Sequence, residues 1–175
     1  MTDETPVPER MYNAIQEGDS RTFKSLFEQH PDQRQFPDGR SMWFSDAASA
    51  GNLDVIKFLI STGVDINEPA NSDSVASPEG VVYRAASDGH LEVVKWMLAH
   101  GAKINFDVRG QTRCYALIHA AREGNLPMVQ FLLEKGAAIN SCWAEMTPLD
   151  HAIDSGSDEV VQFLRSNGAK QANEL

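Results

Sequence analysis

The sequence predicts an all-α solenoid of about five stacked helix-pair units, and three observations carry that prediction. A glycine recurs at Gly18, Gly51, Gly89, Gly124 and Gly156. A second marker follows each one twelve residues later, at His30, Gly63, Gly101, Gly136 and Gly168, so the helical part of every unit has one length. The path from that marker to the next glycine varies instead, at 21, 26, 23 and 20 residues. A constant helix pair joined by variable connections, at a period of about 33 residues, belongs to a stacked array in which each unit needs its neighbours.

The clearest unit runs from Ala85 to Asn105. Val93, Val94, Trp96, Met97 and Leu98 follow the i, i+3, i+4 spacing of a helix with one buried face. Gly89 and Gly101 fall just past the two helices, where a left-handed backbone carries no Cβ penalty. This spacing predicts helices over 81–88 and 92–99.

These residues resemble the ankyrin repeat. The likeness is carried by Gly89-His90-Leu91-Glu92-Val93-Val94, by Gly136-Ala137-Ala138-Ile139-Asn140 and by Thr147-Pro148-Leu149-Asp150, over roughly residues 10–170. Only the last unit keeps Thr-Pro; the equivalent pairs are Met42-Trp43, Gly80-Val81 and Tyr115-Ala116. The resemblance implies an ankyrin-repeat solenoid that presents its first helices on a concave side, with the terminal units acting as caps. It also implies a structural hydrogen-bonding role for His90.

In chain order, residues 1–9 offer nothing to bury and are expected to be disordered, with the repeat domain beginning near Arg10. The first unit, near 10–30, should hold helices at 11–17 and 20–29, the second burying Phe23, Leu26 and Phe27. Unit two, near 41–67, predicts helices at 43–50 and 54–61, with Phe44, Ala47 and Ala48 inward from one and Val55, Ile56, Phe58, Leu59 and Ile60 from the other. The polar connection 68–80 reads as a binding loop or a flexible filler. Unit three spans 80–105. Unit four, near 115–140, predicts helices at 116–123 and 127–134, where Pro127 in a first turn gives up no hydrogen bond. Unit five, near 147–170, predicts helices at 148–155 and 158–166, and residues 171–175 read as a frayed end.

Composition narrows the function. Apolar residues make up 42% of the chain, enough for a continuous core, while 25 acids against 15 bases leave a net charge of −10. Such a charge repels phosphate backbones and anionic membranes, so the expected partner is another protein, a basic one, with no nucleic acid and no membrane. Residues Met1 to Glu9 hold Asp3, Glu4, Pro6 and Pro8 without an apolar run, which fits neither a signal peptide nor a membrane span. Cytoplasmic residence follows as the expectation, together with a monomeric state. Cys114 and Cys142 lack paired zinc spacing and read as reduced thiols.

Candidate contact residues come from two patterns. Positions five, two and one before each glycine share a helix face. That face reads Asn13, Gln16, Glu17; Asp46, Ser49, Ala50; Arg84, Ser87, Asp88; His119, Arg122, Glu123; His151, Asp154, Ser155. Taken singly, each is an ordinary solvated residue. Repeated over five units, they form the face that the resemblance turns into a groove. The connections add Phe36, Trp43, Tyr115 and Trp143, aromatics that serve either as interface anchors or as cover for their own hairpins. His119 and His151 occupy equivalent positions, yet no third ligand stands near them in the pattern, and neither metal nor cofactor is expected. No phosphate-cradling loop, nucleophile elbow or HExxH motif is present, so catalysis is not expected either. The reading is a non-catalytic inhibitor or adaptor. Small stand-alone ankyrin proteins resemble it in two settings, kinase inhibition and immunity against bacterial toxins, and the acid excess suits the second. The competing class is an enzyme using the His119/His151 face.

Overall fold

A computed structural model of the chain describes residues 5–35, 41, 43–67, 80–108 and 110–175. Among the described residues, ten α-helices alternate as first and second members of five pairs: α1 (Val7–Gln16) with α2 (Ser20–Gln29), α3 (Phe44–Ser49) with α4 (Leu53–Ser61), and α5 (Val82–Ser87) with α6 (Leu91–Ala99). Two more pairs follow, α7 (Tyr115–Arg122) with α8 (Leu126–Glu134) and α9 (Pro148–Asp154) with α10 (Asp158–Ser166). The first helices pack in chain order, α1 on α3, α3 on α5, α5 on α7 and α7 on α9. They form an inner row, short and alanine-rich, with Ala47, Ala48, Ala85, Ala86, Ala120 and Ala121 all buried. Small side chains let these helices approach closely, and that closeness puts equivalent positions of successive units within reach of one another.

Local chemistry sets the helix ends. Asn52 and Asn125 accept from the backbone N–H groups of Val55 and Met128 and so cap α4 and α8. Asp19 does the same for α2 through Thr22. Thr147 and Asp150 form a reciprocal capping box on α9, the one unit that keeps Thr-Pro. Between helices of a pair, Gly51 (φ 68°) and Gly89 (φ 81°) reverse the chain. The N–H after each reaches back to a carbonyl five residues earlier, Asn52 to Ala47 and His90 to Ala85, closing the turn.

Several boundaries differ from the sequence reading. Helix α1 opens at Val7, with Pro8 in its first turn, four residues before the expected helix start at Met11. Val7 packs against the core, so this short stretch does bury an apolar side chain. At the other end, residues 171–175 are tied down rather than frayed: Ala172–Glu174 forms a 3-10 turn. Asp150 holds it by accepting from the Ala172 N–H at 2.8 Å and the Gln171 amide at 3.0 Å. The second helices are less buried than their patterns suggested. Phe58, Ile60, Trp96, Leu98, Phe131, Leu133, Val161 and Phe163 are half-buried, because these helices form the outer layer and their flanking apolar positions sit at its edge.

Strand content is small. Phe106–Val108 (β1) pairs antiparallel with Gln111–Arg113 (β2), and isolated bridges join Gln35 to Ser41 and Trp143 to Met146. Among the described residues no helix is long and apolar enough to cross a membrane.

Candidate functional site

Close packing of the inner row sorts the predicted polar face into two tiers. The upper tier is exposed: Asn13, Gln16 and Glu17 on or just past α1, Asp88 after α5, Arg122 and Glu123 at the end of α7, and Asp154 with Ser155 at the end of α9. The lower tier, formed by the position five residues before the glycine in the second to fifth units, is sunk between neighbouring helices. There Asp46, Arg84 and His119 are half-buried and His151 is only 7% exposed. These four follow one another along α3, α5, α7 and α9, close enough to feel each other's charge. Burial raises the Asp46 carboxyl above its usual range and the Arg84 guanidinium opposes it.

The two histidines are held neutral at physiological pH. Burial is the main cause for His119, assisted by the Arg122 guanidinium and opposed by Glu123, and its imidazole is pushed down to about 4. His151 is also lowered, by burial first and Arg122 second, against the upward pull of Asp150 and Asp154. His119 Nδ1 and His151 Nε2 are buried without a hydrogen-bond partner among the described residues. The Trp143 ring stands beside both, 6.2 Å from His119 and 6.1 Å from His151. No group of three potential metal ligands occurs among the described residues.

Trp143 is placed by a strained hairpin. Its backbone exchanges two hydrogen bonds of 3.0 Å with Met146, and the two residues of the turn, Ala144 (φ 51°) and Glu145 (φ 63°), are both left-handed. Such a turn favours Asn-Gly, and a residue with Cβ costs about 1 kcal/mol or more at each position. The half-buried indole thereby joins a row of nearly parallel rings. Tyr83 lies 5.3 Å from His119 at 34°, His119 is tilted by 32° against Trp143, and Trp143 by 24° against His151. Spacing along the sequence could not show this row, since its members come from three helices and a turn. Equivalence of His119 and His151 was its only legible trace.

The other aromatics fare differently. Trp43 is 4% exposed, edge-on to Phe23 at 6.1 Å, and its indole N–H donates to the Gln33 carbonyl at 2.6 Å. Tyr115 is 3% exposed, and its hydroxyl accepts from Arg113 at 3.3 Å. Both are corrected from candidate anchors to core residues. Their polar tips find partners while their rings fill the space under the hairpins. Phe36 lies outside the described residues, as do positions 68–79 of the long connection. Cys114 is a buried free thiol pushed up to about 12 by burial, and Cys142 is a half-buried free thiol. His90, expected from the resemblance to play a structural role, does so by hydrogen bonding through Nε2 to the Ser49 carbonyl at 2.7 Å.

An inner row of short helices, an outer row of longer ones and a polar face along the inner row define a repeat protein built to present a surface. A profile of the family described as Ankyrin repeats (3 copies) matches residues 11–108 and 82–174. The chain belongs to the ankyrin-repeat family, whose repeats are protein–protein interaction modules. Among solved structures it is similar to the crystal structure of the human ASB11 ankyrin repeat domain, with 20% sequence identity and a TM-score of 0.73. That match covers 91% of this chain and 69% of the other, and it speaks for the fold alone. No curated protein matches the chain.

Proposed function

We propose that this chain is a non-catalytic inhibitor or adaptor that grips a basic protein with its inner-helix face. One observation carries the reading: Glu17, Asp88 and Asp154 stand exposed at the ends of α1, α5 and α9 with no ion pair among the described residues. The two arginines of the same face do not cancel them. Arg122 is taken up by Glu123 at 3.0 Å, and Arg84 faces Asp46. With a net charge of −10 behind it, the face attracts cations and repels phosphates. We read the histidines as part of the binding face, since the sequence holds no phosphate-cradling loop, nucleophile elbow or HExxH motif. We place the protein in the cytoplasm as a monomer, a setting that suits two free thiols.

The test is capture of the partner from the native host, followed by biolayer interferometry at two salt concentrations. A Glu17→Lys, Asp88→Lys, Asp154→Lys variant should associate roughly tenfold more slowly than the wild type, because exposed charges steer encounter more than they hold the complex. Asp46 is left alone, since a lysine there would be half-buried beside Arg84. Wild-type association should weaken as salt screens charges beyond about 8 to 10 Å. Unchanged kinetics in the variant would move the interface off this face.

A further inference from the structure

We propose that the row Tyr83, His119, Trp143 and His151 is a receptor for the guanidinium group of an arginine on that partner. This inference rests on the acidic-face reading above and names the chemistry it would select. A guanidinium is flat, weakly hydrated and able to stack on ring faces while donating in-plane hydrogen bonds; a lysine ammonium is a hydrated point charge that does neither well. The ring row offers what the flat cation uses. Neighbouring rings are tilted against one another by only 24–34°, and the row includes the half-buried Trp143.

The chain already demonstrates the contact at one end of the row. Arg84 sets its guanidinium 5.2 Å above the Tyr83 ring. At the other end no side-chain cation lies over Trp143 among the described residues, while the carboxylate of Asp154 is exposed on the same helix as His151. Two further features favour a donor over an acceptor. The imidazoles are neutral, so they do not repel a cation, and His119 Nδ1 and the nine-tenths-buried His151 Nε2 have no hydrogen-bond partner among the described residues. A neutral imidazole nitrogen can accept, and a guanidinium brings five N–H donors. Phosphate or carboxylate groups would instead meet the uncompensated acids of the upper tier.

The experiment is isothermal titration of the full chain with an alternating glycine–arginine heptapeptide and its glycine–lysine counterpart, which carry equal charge. The arginine peptide should bind roughly tenfold tighter. Trp143→Leu should bring it down to the lysine level while leaving the lysine peptide unchanged. Independently of any variant, the arginine peptide should shift the ring resonances of His119 and His151 but not of His30, which lies in the first unit at the end of α2. Equal affinity for both peptides, with both weakened by the triple-lysine substitution, would overturn the ring receptor and leave the acidic face standing. Failure of both peptides to bind would overturn both readings. An arginine preference that survives Trp143→Leu, or that leaves both histidine rings unmoved, would place the selectivity elsewhere and end the proposal.

Discussion

The first junction of the array and the three later ones are built differently, although all four join the same kind of helix pair. In the later units an asparagine four residues after the second marker reaches across to the next unit. Asn67 donates to the Gly101 carbonyl at 3.2 Å and accepts from the Lys103 N–H at 2.7 Å. Asn105 repeats this with the Gly136 carbonyl at 2.8 Å and the Ala138 N–H at 2.9 Å, and Asn140 accepts from Lys170 at 2.9 Å. The first unit has Arg34 there instead. Its guanidinium turns back onto its own helix, donating to the Phe27 and Glu28 carbonyls and lying 4.9 Å over the Phe27 ring.

Arg34 keeps its donors within its own unit and so offers no clamp to the next one. Trp43, edge-on to Phe23 and bonded to Gln33, fills the corner that an asparagine would have bridged. The consequence is a first junction held by aromatic packing, with Phe58 set edge-on at 5.3 Å from Phe27, and by one bond from the Asn52 amide to the Ile15 carbonyl at 3.2 Å, while the three later ones carry the asparagine clamps. Inner-side latches show the same contrast. At the second junction the His90 ring lies so close to Gly51 that an added Cβ would come within 2.5 Å of its Nδ1, whereas a Cβ on Gly18 would meet nothing within 4 Å.

The largest expected effect breaks the tighter latch. Gly51→Val forces a β-branched residue into a left-handed conformation and drives the ring off the Ser49 carbonyl, at a cost of about 3 kcal/mol or more. Gly18→Val carries only the backbone strain, about 1 to 2 kcal/mol. Urea unfolding of the two variants checks this, and equal midpoints would show that the His90 contact contributes nothing. Next comes the asparagine clamp. Asn105→Ala strands the Gly136 carbonyl and the Ala138 N–H and should cost about 1 to 3 kcal/mol, while Arg34→Ala should cost less than about 1 kcal/mol. If Arg34→Ala proved the more damaging, the first junction would depend on that residue and not on its rings.

Acid should separate the two ends of the array by a smaller margin. His119 is held at about 4 when folded and titrates near 6.5 when unfolded, so between those values the unfolded chain binds the extra proton. Stability therefore falls as pH drops from about 6.5 to 4. The loss is on the order of 1 to 2 kcal/mol once solvent screening of the half-buried ring is allowed for. His151 acts in the same direction, through burial and Arg122. Asp150, lowered by its hydrogen bonds to Thr147, Ala172 and Gln171 despite some burial, adds a loss only below its ordinary value of 3.8. All three lie in the last two units. Amide exchange at pH 7 and pH 5 should show protection lost first in α7 and α9, and in a His119→Gln variant that difference should shrink. Uniform loss along the array would mean that the histidines carry no share of it.

Much of the fold was legible in the chain, because a repeat states its own length many times over. The fixed twelve-residue interval located all ten helices of the described residues to within a few residues. Glycine spacing and apolar periodicity are local properties, set by backbone sterics and by one helix face, and sequence displays both directly. Three things were decided only in space. Polar positions that look alike in sequence divided into exposed and sunken tiers, since the depth of a side chain depends on how closely the alanine-lined helices approach. Trp43 and Trp143, both connection tryptophans, parted company because the first fills a corner beside Phe23 while the strained Ala144-Glu145 turn sets the second between two histidines. The asparagine clamps appeared in the sequence as mere repetition, and only the stacked units supplied the carbonyl and N–H that each one holds.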